Sequence, residues 1–314
     1  MRILIVGAGA IGGYFGGRLL EAGRNVCFLV RPRRSAQLAK TGLAIRSSLG
    51  DVHIPSPPTI TADALRDPFD LILLSCKAYD LKSAADSFAP AVGTATAILP
   101  LLNGIGHLDF LTARFGNGAV LGGQCVISTT LDAEGRILHL NDTHMMSFGE
   151  RDGSVSGRAT EIASTLSGAR FESRLSRAIL QEMWEKWVLI AATAGITCLM
   201  RSTIGDIVAA GGSHLTISLL EECAAIAKSQ NFAPSEASLT RNHAMLTAPG
   251  SAFAASMLRD IERGAPIEAD HIIGDLIRRG EKEPHDHPIL RIVFAHLKAY
   301  EARRAREQAV SKAA

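Results

Sequence analysis

This chain has no apolar run of the ~20 residues that a bilayer-spanning helix requires; the longest, Val188 to Met200, stops short and reads as a buried helix. It has no charge imbalance either. Thirty-three basic against 31 acidic side chains leave a net charge of +2, too weak a field to favour nucleic acid or an anionic membrane. C-x-x-C spacing is missing. Cys27, Cys76, Cys125, Cys198 and Cys223 are scattered, mostly in apolar or small-residue runs, and read as buried thiols of a protein in a reducing cytoplasm. No internal repeat, low-complexity tract or Ser-His-Asp order stands out, and 47% hydrophobic with 20% charged residues excludes a disordered chain. His285-Asp286-His287 carries two imidazoles, yet it lies between Pro284 and Pro288 with no third ligand at metal spacing. It reads as a surface loop, and no metal is expected.

What is present begins at the first residues. An apolar strand, Ile3 to Val6, runs into Gly7-Ala8-Gly9-Ala10-Ile11-Gly12 and then into an amphipathic helical stretch ending near Gly23. Arg18 and Glu21 on that helix, and glycines breaking the apolar run, argue against a secretion signal. A second strand, Val26 to Val30, follows at the distance a mononucleotide-binding unit needs. The three glycines serve different ends, with a tight turn at Gly7, close approach of a pyrophosphate at Gly9 and helix-on-strand packing at Gly12. The helix N-terminus then faces the phosphates with its N–H groups and positive dipole end.

The second strand ends in Arg31, Pro32, Arg33 and Arg34, where a site preferring NAD usually carries an acid for the ribose 2′-hydroxyl. A guanidinium forks onto a 2′-phosphate, so Arg31, supported by Arg33 or Arg34, argues for NADPH. Further apolar strands end in Cys76-Lys77-Ala78-Tyr79-Asp80 and Leu102-Asn103-Gly104, and Ala119 to Gly122 reads as another. Such regular strand ends predict an α/β fold with a doubly wound parallel sheet and ligands at its carboxyl edge, where Lys77 and Asn103 sit. Cys125 to Thr130 and Arg136 to Leu140 read as antiparallel strands about a turn at Asp132 to Gly135, followed by Met145 to Glu150.

From about Leu175 the pattern becomes helical: Ala178 to Met200, Leu215 to Gln230, Ala252 to Arg263, His271 to Lys282 and Pro288 to Gln308. The chain therefore divides into a Rossmann domain, 1–174, and an all-helical domain, 175–314, with a hinge expected near Glu172 to Ser176. The apolar C-terminal helices suggest a homodimer.

Gly7 to Gly12, Ser75-Cys76-Lys77-Ala78-Tyr79, Leu102-Asn103-Gly104-Ile105-Gly106, Trp184-Glu185-Lys186-Trp187, Ser256-Met257-Leu258-Arg259-Asp260 and Glu268-Ala269-Asp270 together resemble the ordered motifs of the ketopantoate reductase family. The resemblance spans essentially the whole chain. It implies a helical domain like that of the 6-phosphogluconate dehydrogenases, an active site between the two domains, and NADPH-dependent reduction of 2-dehydropantoate to pantoate on the route to pantothenate and coenzyme A.

Hydride transfer to a keto carbonyl builds negative charge on oxygen, so a proton donor belongs beside it. Lys186, on an otherwise apolar helix between Trp184 and Trp187, fits: desolvation lowers a lysine's pKa and makes it a better acid. The alternative is a stem that snorkels over the tryptophans to water. By resemblance Lys186 is the proton donor and Asn103 contacts both cofactor and substrate. Lys77 then serves the cofactor, Ser256 the substrate carboxylate, and Glu268 lies near the nicotinamide ribose and Lys186. Asn103-Gly104 is also a common turn dipeptide, and Glu268 could simply cap a helix.

One departure stands out. Four and eight residues after Lys186, on the same helical face, the family usually carries asparagines that hold the substrate; here the substrate positions are Ile190 and Ala194. A third such asparagine falls at Ile273. Missing polar partners alter discrimination between substrates strongly, which points to a more apolar 2-keto acid or ketone, unless Thr193 and Thr197 replace the contacts. The competing readings are a non-catalytic NADPH-binding sensor and a dehydrogenase of the opine or 3-hydroxyacid type.

Overall fold

The structure, a computed structural model, describes residues 1–281 and 286–313. By compactness the chain forms two units, Met1–Leu180 and Gln181–Ala314.

In the first unit β1 (Arg2–Val6), α1 (Ala10–Glu21), β2 (Asn25–Leu29), α2 (Pro32–Thr41), β3 (Leu43–Arg46), β4 (Val52–Ile54), β5 (Thr59–Ile60), β6 (Leu71–Leu74), α3 (Leu81–Phe88), β7 (Ala97–Pro100), α4 (Gly106–Phe115), β8 (Gly122–Leu131), β9 (Ile137–Gly149), α5 (Gly157–Leu166) and β10 (Glu172–Leu175) follow in order. Five of the strands form a parallel sheet in the order β5-β2-β1-β6-β7. Strands covered on both faces are apolar throughout. Leu71 to Leu74 of β6 are at most 1% exposed. Strand order reverses between β1 and β6, the switch point where such sheets leave a crevice at their carboxyl ends.

A second sheet, ordered β10-β9-β3-β4 with β8 antiparallel to β9, lies on the other side of α1. The double glycine pairs of α1 explain the fit. A side chain at Gly16 would meet the Phe28 ring at 2.5 Å, and one at Gly17 would meet Ile45 and Leu43 at 2.8 Å. Helix α1 is thus wedged between two sheets, each approached on a glycine face.

Several elements differ from the sequence reading. Ala119 to Gly122 makes only an isolated bridge, Ile98 with Val120, before the chain leaves for the second sheet at Gly122. Side-chain-free Gly122 and Gly123 permit that crossing, since a Cβ at Gly122 would meet Ile179 at 2.7 Å and one at Gly123 would overlap Leu99. Arg136 to Leu140 and Met145 to Glu150 belong to one strand, β9, ending at Gly149. Glu172 to Leu175, expected as a hinge, is β10, paired in parallel with Met145 to Phe148. Its parallel pairing with β9 depends on a distant partner that local pattern does not reveal.

In the second unit α6 (Ile179–Met200) enters from the end of the first. It is followed by α7 (Ile204–Ala209), α8 (Ser213–Ser229), α9 (Glu236–Leu246), α10 (Ser256–Glu262), α11 (Asp275–Gly280) and α12 (Pro288–Ala313). Trp187, Leu219, Leu220, Ile226, Ile273, Leu276 and Val293 are completely buried. Helix α10 is shorter than its pattern because the Ser251 and Phe253 carbonyls accept from Gly205 and Ile204 N–H (2.8 and 2.9 Å), satisfying the first turn of α7. The stretch expected as one helix from His271 begins as a π-turn, Asp270–Gly274, before α11, and Lys282 lies outside the described residues. Helices α7 and α9 escaped the hydrophobic pattern, although Thr203/Asp206 form a capping box and Ser235 caps α9.

All five cysteines are free thiols; Cys125, Cys198 and Cys223 are buried, whereas Cys27 and Cys76 are only half-buried. Burial pushes the Cys198 thiol up to about 12. His287 is not on the surface: it is 5% exposed and packs beside Gly280, while His285 and Pro284 lie outside the described residues. No described helix is long and apolar enough to cross a membrane.

Candidate functional site

The register of the parallel sheet aligns Val6 with Leu29 and Leu74, and Leu74 with Pro100. The loops that follow these four residues carry Gly7 to Gly12, Arg31, Lys77 and Asn103. The sheet therefore brings all the first-unit candidates to one carboxyl edge, around the switch point.

Gly7 has φ +92°, a backbone that side-chain-bearing residues rarely adopt, and its N–H donates to Leu29 O at 2.9 Å. Gly9 occupies the N-cap position of α1 and no side chain caps the helix. A Cβ there would meet nothing within 4 Å. Open space beside uncapped N–H groups at a helix N-terminus fits a pyrophosphate. Ala8 is buried and Ala10 and Ile11 are half-buried in the same turn. Gly12 packs against the end of β1: a Cβ would overlap Gly7 O and Ser75 Oγ and lie 3.1 Å from Ile5.

Arg31 precedes α2, largely exposed, and donates to Asp80 Oδ1 at 2.7 Å. The hydrogen bond and the charge of Asp80 raise the Arg31 pKa above its ordinary value. Arg34 is differently placed. Its guanidinium donates to Ala8 O (3.0 Å), Gln37 Oε1 (2.7 Å) and Gly135 O (3.2 Å), and burial lowers its pKa. A pocket of about 360 Å³ lies between Arg31, Arg33, Arg34, Gln37 and the hairpin turn at Asp132 to Gly135. Lys77 is half-buried at the start of the turn Ala78–Asp80. Asn103 is half-buried too, and the backbone bends there, with Gly104 beside it at φ +77°.

In the helical unit Lys186 lies on α6 and is half-buried, short of the inner face, which belongs to Trp184 and Trp187 at 3% and 0% exposure. The two indoles pack with centroids 4.9 Å apart, and Arg279 lies over both. Trp187 Nε1 donates to Ile272 O at 2.9 Å inside the π-turn. Ile272 N–H in turn donates to Glu268 O at 2.9 Å. One indole thus brings the segment carrying Glu268 against the turn of α6 that carries Lys186. Glu268 is half-buried just before its helix. Glu185 is held by Ser235 N–H (2.9 Å) and Gln181 (3.2 Å). Burial alone would raise its carboxyl, but hydrogen bonds from Ser235, Gln181 and Ser238 outweigh it and hold the pKa below the usual range.

Ser256 opens α10 and is exposed. Ala194 and Ile273 are buried, and Ile190 is half-buried. Thr193 and Thr197 do not offer substitute donors: their hydroxyls donate to Leu189 O (2.7 Å) and Thr193 O (2.6 Å) in their own helix. Sequence reasoning missed the roles of Asp80, Trp187 and Gly135, which depend on partners far along the chain. The signal for Asp80 was its place immediately before a helix.

Comparison with known proteins matches residues 3–153 to the model of ketopantoate reductase PanE/ApbA and residues 178–301 to that of its C-terminal domain. The uncharacterized oxidoreductase YkpB of Bacillus subtilis is 36% identical over 303 residues, 96% of this chain and 99% of that one. A 2-dehydropantoate 2-reductase of Archaeoglobus fulgidus is 29% identical, covering 90% of this chain and 91% of its own. The crystal structure of a 2-dehydropantoate 2-reductase from Methylococcus capsulatus superposes with a TM-score of 0.85 at 27% identity, covering 97% and 98% of the two chains. With both domain models and a relative of this similarity matched along nearly its full length, the chain belongs to the ketopantoate reductase family of oxidoreductases.

Proposed function

We propose that this protein uses NADPH to reduce a 2-keto acid to a 2-hydroxy acid, with 2-dehydropantoate as the substrate and pantoate as the product. The observation that carries the reading is the loop between β1 and α1, with its left-handed Gly7, open Gly9 and uncapped helix at the switch point. Membership of the ketopantoate reductase family supports the keto-acid half.

In this reading the N–H groups from Gly7 to Gly12 hold the pyrophosphate and Arg31 reads the 2′-phosphate. Lys77 and Asn103 serve the cofactor from the neighbouring strand ends. A reduced nicotinamide, when bound, supplies a hydride. Lys186 gives its proton to the carbonyl oxygen as negative charge develops there, and Asn103 donates a hydrogen bond to the same atom. Glu268 balances the lysine's charge, and Ser256 donates to the substrate carboxylate. A homodimer is part of the proposal, supported by Ile292 and Val310, which α12 leaves 58% and 65% exposed. A reducing cytoplasm suits five free thiols.

The test is loss of nicotinamide absorbance on mixing protein, NADPH and 2-dehydropantoate, with NADH in parallel. Efficient oxidation supports the reading. Tight binding of NADPH with no turnover of any ketone would replace it with the non-catalytic sensor.

A second reading keeps the chemistry and changes the substrate. It is favoured by Thr193 and Thr197, which spend their hydroxyls on their own helix and leave Ile190, Ala194 and Ile273 without polar stand-ins. Specificity constants for 2-keto acids with larger apolar side chains decide it: a clear maximum at 2-dehydropantoate rejects this second reading.

A further inference from the structure

Asp80 immediately precedes α3, the position where an aspartate ordinarily caps a helix by accepting from its first N–H groups. It does not do so here. Its backbone is in the helical region (φ −94°, ψ −5°) rather than the extended one that capping needs, held there by its N–H donating to Lys77 O at 2.9 Å. The carboxylate instead accepts from Arg31 at 2.7 Å. Arg31 follows β2 and Asp80 follows β6, the two strands that flank β1. The ion pair therefore reaches past the carboxyl end of β1, where the glycine loop begins.

The other cations of this corner are placed differently. Arg34 spends Nε and Nη1 on the carbonyls of Ala8 and Gly135 and on Gln37, which leaves Nη2 to donate, and Arg33 is exposed on the wall of the same pocket. Asp132, on the wall of the same pocket, is paired with Arg136 at 2.6 Å. Of Arg31, Arg33 and Arg34, Arg31 is the one that a carboxylate already shares. An anion bound by Arg31 feels a like charge beside it, whereas a ribose 2′-hydroxyl finds an acceptor.

Resting on the proposed nucleotide site, we infer that Asp80 sets the choice between the two nicotinamide dinucleotides, holding Arg31 back from the 2′-phosphate and accepting from a free 2′-hydroxyl. The site consequently takes NADH alongside NADPH.

Calorimetric titration with NADPH, NADH, 2′,5′-ADP and 5′-AMP tests this on the intact wild-type protein, Asp80→Asn and Asp80→Glu. Removing a like charge within ~6 Å of a dianion in a mostly aqueous corner is expected to tighten NADPH and 2′,5′-ADP about tenfold in Asp80→Asn. NADH and 5′-AMP weaken severalfold, and Asp80→Glu stays near wild type. The gain shrinks with added salt, and in an Arg31→Met background it disappears. Equal changes for the phosphorylated and unphosphorylated ligands, or none, overturn the inference and leave the nucleotide site standing. A wild-type protein that binds none of the four overturns both.

Discussion

Gly9 and Gly12 stand three residues apart in one loop, yet replacing each with alanine is expected to do opposite things. At Gly12 the added Cβ overlaps Gly7 O and Ser75 Oγ and approaches Ile5 at 3.1 Å. Ser75 can rotate, whereas Gly7 O is backbone beside a φ of +92° and cannot yield without moving β1 or α1. Overpacking of this kind costs about 1–3 kcal/mol. For a unit the size of Met1–Leu180, where 1 kcal/mol shifts Tm by ~2–4 °C, the first unit of Gly12→Ala should melt ~2–12 °C early. At Gly9 the Cβ meets nothing within 4 Å, and φ −81° suits any residue. There, lost freedom in the unfolded chain stabilises by ~0.4–1 kcal/mol and a poorer N-cap offsets it, so melting should move by no more than ~1 kcal/mol equivalent. The methyl group instead occupies the approach of the pyrophosphate, and NADPH affinity should fall at least about tenfold, 1.4 kcal/mol. Scanning calorimetry and NADPH titration on both variants separate the two effects. If Gly9→Ala binds NADPH as the wild type does, or Gly12→Ala melts with it, the division of labour argued for these glycines is wrong.

If Lys186 is the proposed proton donor, Lys186→Ala should lower kcat by ~10²–10⁴ while NADPH affinity holds, because the nucleotide loop is intact; steady-state kinetics with a parallel titration checks this, and a variant that loses both together contradicts the assignment. Trp187→Phe removes the indole N–H that donates to Ile272 O in the π-turn; losing a hydrogen bond of this kind costs ~0.5–1.5 kcal/mol, read as a fall in Tm. Glu150 is 9% exposed and bound by two nitrogens of Arg158 (2.7 and 2.6 Å) and by Ser156 (2.6 Å). The Arg158 hydrogen bond first of all holds its carboxyl below the usual range, although burial opposes this. A depressed folded pKa stabilises above the unfolded value of ~4.3 and loses that contribution as pH falls through the folded value. Glu150→Gln should therefore cost ~1–3 kcal/mol at pH 7 and converge on wild type in acid; a pH-independent difference in urea unfolding would contradict the ion pair as its origin.

Much of the site could be read locally. Gly7, Gly9 and Gly12 follow an apolar strand at fixed offsets, and Arg31, Lys77 and Asn103 each stand just after another, so pattern alone brought them to one sheet edge. Lys186 was readable as a cation on an apolar helix, but its half-buried state was not, because that depends on which side Trp184 and Trp187 turn inward. The strands β3, β4 and β10 are too short and too mixed to announce themselves; β3 and β10 exist because β9 lies beside them, and β4 because β3 does.

Local order of residues determined the parallel sheet, the nucleotide loop, the helical second half and the apolar side chains at Ile190, Ala194 and Ile273. Backbone sterics and hydrophobic period act over a few residues and are visible in any window of the chain. Tertiary structure alone decided that Thr193 and Thr197 bond their own helix, that Arg34 clamps Ala8 to Gly135, that Trp187 holds the π-turn and that Asp80 leaves its helix uncapped to take Arg31. Each of these spends a donor or acceptor that the residue type leaves open, and the partner that claims it is fixed only when distant segments pack.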